Sequence, residues 1–231
     1  MGIFGLGKDD TADPGGGAPG SALTAPDKGS GPAGALVERL MDAGIDGRGR
    51  FASAGDVAAD AVREHGRSDQ AVDAIVSRHV RLAAAGGFVT SLGGFVTMPV
   101  ALPANVLGFY VIATRMVASI ASVRGYDIRE PAVRSAVLLT LIGADSDDLL
   151  KKAGLLSSGR LASLATQRLP APVLLAVNKG IGFRLLRQVG EKSLTRFGKG
   201  VPLIGGFVGA GVDAYMLKRI ADKARTELPL R

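Results

Sequence analysis

The chain has 231 residues, 47% of them hydrophobic and only 5% aromatic, with a mean hydropathy of +0.25 and a formal charge of +7. It contains 33 glycines and no cysteine, which excludes disulfides, thiolate metal centres and cysteine nucleophiles and fits a reducing compartment or a fold that does without disulfides. The charge is uneven. Residues 1–150 hold 13 Lys/Arg against 17 Asp/Glu, whereas residues 151–231 hold 15 against four, a block that attracts phosphate on lipid or nucleic acid.

In chain order, "MGIFGLGKDD" offers only a short apolar run before Lys8, too little for a secretory leader, and Leu6 stands where a myristoylation pattern wants Ser or Thr. From Asp9 the sequence is Gly, Pro, Ser and Asp with almost nothing to bury. Residues 1–34 are therefore expected to be a disordered tail, and 35–231 a single helical domain. Ala35–Ala43, Ser53–His65 and Ser68–Ala85 space their apolar residues by three and four, the period of helices, with Ser or Asp at the starts. No stretch shows convincing strand alternation.

Leu82 to Thr114 carries no Asp, Glu, Lys, Arg or His over 33 positions, and within it "GGFVTSLGGFVT" states GGFVT twice. A seven-residue spacing stacks Gly86 on Gly93 and Gly87 on Gly94 along one helix face, whereas in a strand it would put the copies on opposite faces. Four glycines in a helix cost about 4 kcal/mol relative to alanine. A face smooth enough for another helix to approach backbone to backbone offsets that cost, as in the small-x-x-x-small pairs of membrane helices. Pro99 and Pro103 predict a break that turns the segment into a hairpin. Its second arm, Ala104–Val123, carries a thin polar stripe of Asn105, Gly108, Arg115, Ser119 and Ser122, and Arg115 makes it marginal as a free transmembrane helix. Arg78, His79 and Arg81 before the hairpin, and Arg124 and Arg129 after it, predict entry of any membrane from the cytoplasm with the tip buried.

A helix is expected from Pro131 to Gly143, then another capped near Asp145 or Ser146. Asp145, Asp147 and Asp148 read as first-turn acids, since they lack the further ligands and the glycine of a calcium loop. Over Val173–Lys199, Leu174, Val177, Ile181, Leu185 and Val189 form one stripe, and Arg184, Arg187, Lys192, Arg196 and Lys199 gather on the other side. Such a basic amphipathic helix lies on an anionic membrane or packs on its own core. The last helix starts at Pro202, is uncharged through Val212 and repeats GGFV at Gly205–Val208. Its Gly205, Gly206 and Gly209 are expected to pack against the first glycine face.

Conventional catalytic chemistry is missing. His65 and His79 have no metal-site pattern around them and read as surface or capping residues. "VGEKS" lacks the glycine and the Gly-Lys-Ser/Thr order of a phosphate loop, and aromatic residues for stacking nucleic-acid bases are scarce.

The chain resembles the EcsC family of bacterial proteins through "GGFVTSLGGFVTMPVALP", "SVRGYDIREP" (Gly125, Tyr126, Asp127, Glu130 and Pro131) and the late "VPLIGGFVGAGVDAY". It departs from the family pattern at Ala101, Arg124 and Asp213. The resemblance supplies no catalytic residues and implies a helical, membrane-associated protein.

The reading is thus an all-α bundle with a glycine-rich apolar hairpin and a glycine-rich C-terminal helix. It is expected to be a non-enzymatic protein without cofactor or metal on the cytoplasmic face of the inner membrane, peripheral or shallowly inserted. Arg184, Arg187, Lys192, Arg196 and Lys199 would meet anionic lipid headgroups, with Gly86, Gly87, Gly93, Gly94, Gly205, Gly206 and Gly209 in helix packing. A membrane or partner protein is a further candidate and nucleic acid is not. The alternative is a soluble helical module that holds a partner protein or an apolar ligand.

Overall fold

Helix starts follow the caps that the sequence supplies. The Ser53 hydroxyl accepts the Asp56 N–H at 3.1 Å while the Asp56 carboxylate accepts the Ser53 N–H at 3.2 Å, a reciprocal box that satisfies donors no helical carbonyl can reach. In this computed structural model residues 31–47, 52–92, 94–142, 146, 150–151, 161, 165, 170–196 and 202–231 are described, with side chains outside 86–105 and 188–210. The helices are α1 (Gly31–Leu40), α2 (Ala54–His65), α3 (Asp69–Leu92), α4 (Gly94–Val123), α5 (Pro131–Ile142), α6 (Ala171–Arg196) and α7 (Pro202–Glu227). A π-helical turn, Met41–Ile45, continues α1. No strand occurs among the described residues, and the all-α expectation holds. Helix α1 begins at Gly31, inside the expected tail; residues 1–30 and Asp145, Asp147 and Asp148 lie outside the described residues.

The lower half of α4 is the axis of the bundle. Tyr110, Met116, Val117, Ile120 and Ala121 are fully buried there, and α2, α3, α5, α6, α7 and the π turn all pack on α4. Each such aliphatic side chain contributes about 1.5–3 kcal/mol on leaving water. The Val106–Val123 window is apolar enough to cross a bilayer, but 72% of it is buried inside the protein. The helix therefore has its apolar partners already. α5 is buried on nearly every side, only Pro131 and Arg134 escaping, as befits a helix apolar all round.

Arg115 and Ser119 of the polar stripe of α4 face this interior, whereas Gly108 and Ser122 are half-exposed. Arg115, only 5% exposed, donates to the Ala43 carbonyl at 2.8 Å, and the Ser119 hydroxyl donates to the Ala54 carbonyl at 3.1 Å. Arg115 is thus a strut between α4 and the π turn. Gly44 allows the approach, since a Cβ there would stand 2.7 Å from the Thr114 side chain.

One sequence expectation is corrected. Pro99 and Pro103 do not break the hairpin; α4 runs through both, and the chain changes direction between Leu92 and Gly94. A proline forfeits one backbone bond and crowds the carbonyl four residues earlier. Because these two are themselves four apart, both losses fall on the line Phe95–Pro99–Pro103, which bends a helix without ending it, and α3 packs alongside α4.

Candidate membrane-contact surface

Two ion pairs set the register of the three helices that carry the glycine motifs. Arg124 near the end of α4 reaches Asp69 at the start of α3 at 2.7 Å, and Arg225 near the end of α7 reaches Asp73 on α3. Both α4 and α7 therefore run antiparallel to α3. α3 packs more extensively on α7 than any other two helices pack on each other. Counting from Asp73 and Arg225 at 1.5 Å per residue brings Leu82 level with Met216, and Gly86–Leu92 level with Val212–Gly206, to within about a turn. The two glycine-rich segments, far apart in sequence, thus share one end of the bundle. Gly86 and Gly87 lie on α3, Gly94 on α4 and Gly205, Gly206 and Gly209 on α7; Gly93 lies outside the described residues.

Charge is graded along this axis. At the base, cations are neutralised by carboxylates, Arg124 by Asp69, Arg225 by Asp73 and Arg129 by Asp127, and on α5 Arg134 pairs with Asp46 of the π turn. One to two turns higher, Arg78 and Arg81 on α3 and Lys218 and Arg219 on α7 are exposed, and among the described residues none of these four is in an ion pair. The exposed Asp222 sits a turn nearer the base, and Asp213 is buried. Directly above the four cations come Leu82, Val212 and Tyr215, all substantially exposed, with the buried Asp213 between the last two; beyond them α3 to Leu92, α4 from Gly94 and α7 up to Pro202 carry no charge, and Lys199 stands three residues before Pro202. Exposed apolar side chains beside unneutralised cations are the arrangement that an anionic bilayer surface complements.

The cations singled out on α6 fare differently. Val177, Ile181 and Leu185 are completely buried, so the apolar stripe of α6 is spent on the protein's own core and cannot also lie in lipid. Arg184 is half-buried and Arg187 exposed; Lys192 and Arg196 lie on the α6 backbone with undescribed side chains, and Lys199 lies outside the described residues. What α6 turns outward is a row of Leu175, Lys179, Phe183 and Arg187, every fourth residue.

The EcsC protein family model matches residues 66–231, all of the chain from α3 onward. The chain belongs to the EcsC family. No curated protein and no solved structure matches it. In this EcsC chain α1 and α2 precede the matched region and pack onto it.

The motif around Gly125 is structural. Gly125 takes φ +90°, its N–H reaches the Ser122 carbonyl, and the Tyr126 N–H reaches the Ala121 carbonyl, a Schellman closure of α4 for which glycine is the natural residue. Tyr126 is then buried, with the Arg231 guanidinium 5.1 Å above its ring. Asp127 accepts two bonds from the Arg129 guanidinium and one from its N–H, which hold the carboxyl below its ordinary range.

Two features of this EcsC chain escaped the sequence reading. Gly182 is the closest backbone approach seen: a Cβ there would stand 2.2 Å from the Ala33 carbonyl oxygen, so α6 crosses α1 through a missing side chain. Its signal was a glycine between Ile181 and Leu185 on the buried stripe. His79 is the other, and here the expected surface role is corrected: it is 1% exposed, and its Nδ1–H donates to the Ile75 carbonyl at 2.7 Å. Burial, then the charges of Arg115 and Arg78, push its pKa down to about 4, so the ring is neutral at physiological pH. The sequence signal was its spacing, four residues beyond Ile75 and four before Ala83 on the buried face of α3. Among the described residues no three His, Cys, Asp or Glu lie close enough to hold a metal ion.

Proposed function

We propose that this EcsC protein is a non-enzymatic, membrane-associated helical bundle that docks on anionic phospholipid at the cytoplasmic face of the inner membrane. The observation that carries the reading is the axial grading. Paired charge at the base gives way to Arg78, Arg81, Lys218 and Arg219, then to Leu82, Val212 and Tyr215, then to the uncharged glycine-rich ends of α3, α4 and α7. Cations flanking an apolar segment favour the cytoplasmic side. A basic residue near an anionic surface contributes about 1 kcal/mol, so the four together supply about 4 kcal/mol. Arg184, Arg187, Lys192 and Arg196 on α6, and Lys199 after it in the sequence, add charge without an apolar stripe to insert.

Co-sedimentation with vesicles of phosphatidylcholine alone and of phosphatidylcholine with phosphatidylglycerol tests this. The wild-type chain is expected to bind the anionic vesicles. Replacing Arg78, Arg81 and Arg219 with Gln, together with Lys218→Gln, is expected to weaken partitioning by about a thousandfold, the equivalent of about 4 kcal/mol. The corresponding α6 replacements should cost less. A chain that stays in the supernatant with both vesicle types refutes the membrane reading and favours the soluble partner-binding module.

A further inference from the structure

The apolar end of the bundle has a length as well as a level. Leu82–Leu92 on α3 and Pro202–Val212 on α7 are each eleven residues without a charge, about 16 Å of helix at 1.5 Å per residue. A bilayer's hydrocarbon is about 30 Å thick, so one leaflet offers about 15 Å. The segments are too short to span and the right length to fill a single leaflet. Their lower limit is marked on both helices: Arg81 immediately precedes Leu82, and on α7 the buried Asp213 follows Val212, with the exposed Lys218 and Arg219 within two turns of it. Tyr215, 58% exposed, stands between the apolar and charged levels, where tyrosine is enriched at membrane interfaces.

Resting on the membrane reading above, we propose that the upper ends of α3, α4 and α7 enter one leaflet of an anionic bilayer as a three-helix wedge. The wedge stops when Tyr215 reaches the interface and is held there by Arg78, Arg81, Lys218 and Arg219 on lipid phosphates. The glycines belong to this picture. Inside hydrocarbon no hydrophobic force drives helices together, and close contact between small residues replaces it. Gly86, Gly87, Gly205, Gly206 and Gly209 fall within the wedge on the two helices that pack most extensively. The lower half of α4 stays outside the lipid, because it is enclosed by the bundle and carries Arg115.

The chain has neither Trp nor Cys, so single probes can be introduced cleanly. Phe207→Trp and, as a second tip probe, Phe95→Trp report from the wedge, Tyr215→Trp from its rim and Phe183→Trp from α6. With anionic vesicles brominated at deep or shallow acyl positions, the two tip probes are expected to shift to the blue and lose emission most with deep bromines. Tyr215→Trp should lose most with shallow ones, and Phe183→Trp should keep its emission with both. Phe95→Cys should resist a membrane-impermeant maleimide added outside or trapped in the lumen. Labelling from the lumen would show a spanning helix and overturn the wedge. Tip probes that stay unquenched on sedimenting protein would also overturn it while leaving surface binding intact. A wild-type chain that fails to sediment removes both readings.

Discussion

Gly182→Ala and Gly108→Ala are the same chemical change in the interior of two helices, and the structure gives them opposite signs. A Cβ at Gly108 would meet nothing within 4 Å, so alanine there gains its helix preference, up to about 1 kcal/mol. A Cβ at Gly182 would lie 2.2 Å from the Ala33 oxygen and 2.7 Å from its carbonyl carbon. Both are backbone atoms, so no rotamer change relieves the clash; α1 must retreat by roughly 1 Å to restore ordinary contact. Retreat loosens Leu36, Val37 and Leu40 from the core, and strain of this kind costs about 1–3 kcal/mol, more than the helix preference returns. Urea unfolding is expected to show a higher midpoint for Gly108→Ala and a lower one for Gly182→Ala, with faster amide exchange confined to α1. If Gly182→Ala stabilised the protein as much as Gly108→Ala, the backbone-to-backbone crossing would be refuted.

Two further outcomes concern stability. Because the folded pKa of His79, about 4, lies below its unfolded value of about 6.5, the unfolded chain takes up the proton first as pH falls. Stability is then complete above about pH 6.5 and declines toward pH 4, with about 2 kcal/mol lost at pH 5; in His79→Gln this part of the decline should vanish when urea unfolding is followed against pH. Ser53→Ala removes the hydroxyl that accepts the Asp56 N–H, leaving the Ser53 N–H bond to the Asp56 carboxylate in place, and is expected to lower unfolding free energy by about 1 kcal/mol, with increased exchange in the first turn of α2.

Much of the helical pattern could be read from local chemistry. Ser53 with Asp56, Pro131 and Pro202 each announce a start, and the spacing of Val177, Ile181 and Leu185 marks the face that is buried. What failed were three inferences that turned on a neighbour. Pro99 and Pro103 looked like a break because an isolated helix would end there, whereas α4 runs on through both with α3 packed alongside. Arg115 looked costly because its acceptor, the Ala43 carbonyl, lies 72 residues away. His79 looked superficial because Arg78 and Arg81 beside it are exposed, although the helical period turns its ring inward. The four candidate headgroup cations were invisible as a group for the same reason: Arg78 and Arg81 join Lys218 and Arg219 only through the register that Asp73 and Arg225 impose.

That register also explains why the charges work together. Solvated cations within about 8–10 Å reinforce one another at physiological ionic strength, and those farther apart are screened. Arg78, Arg81, Lys218 and Arg219 fall within roughly a turn of one another along the axis, with Arg115 buried at nearly the same level and His79 held neutral. Attraction to phosphate is therefore concentrated at the edge of the apolar end, while Asp69, Asp73 and Asp127 cancel the cations at the base. On the proposed membrane reading, lipid phosphate would draw the collar down, and the residues brought to the surface first would be Leu82, Val212 and Tyr215. In water the four cations repel one another, which costs stability, and the neighbouring exposed apolar side chains favour association. On the proposed anionic leaflet both terms would change sign together.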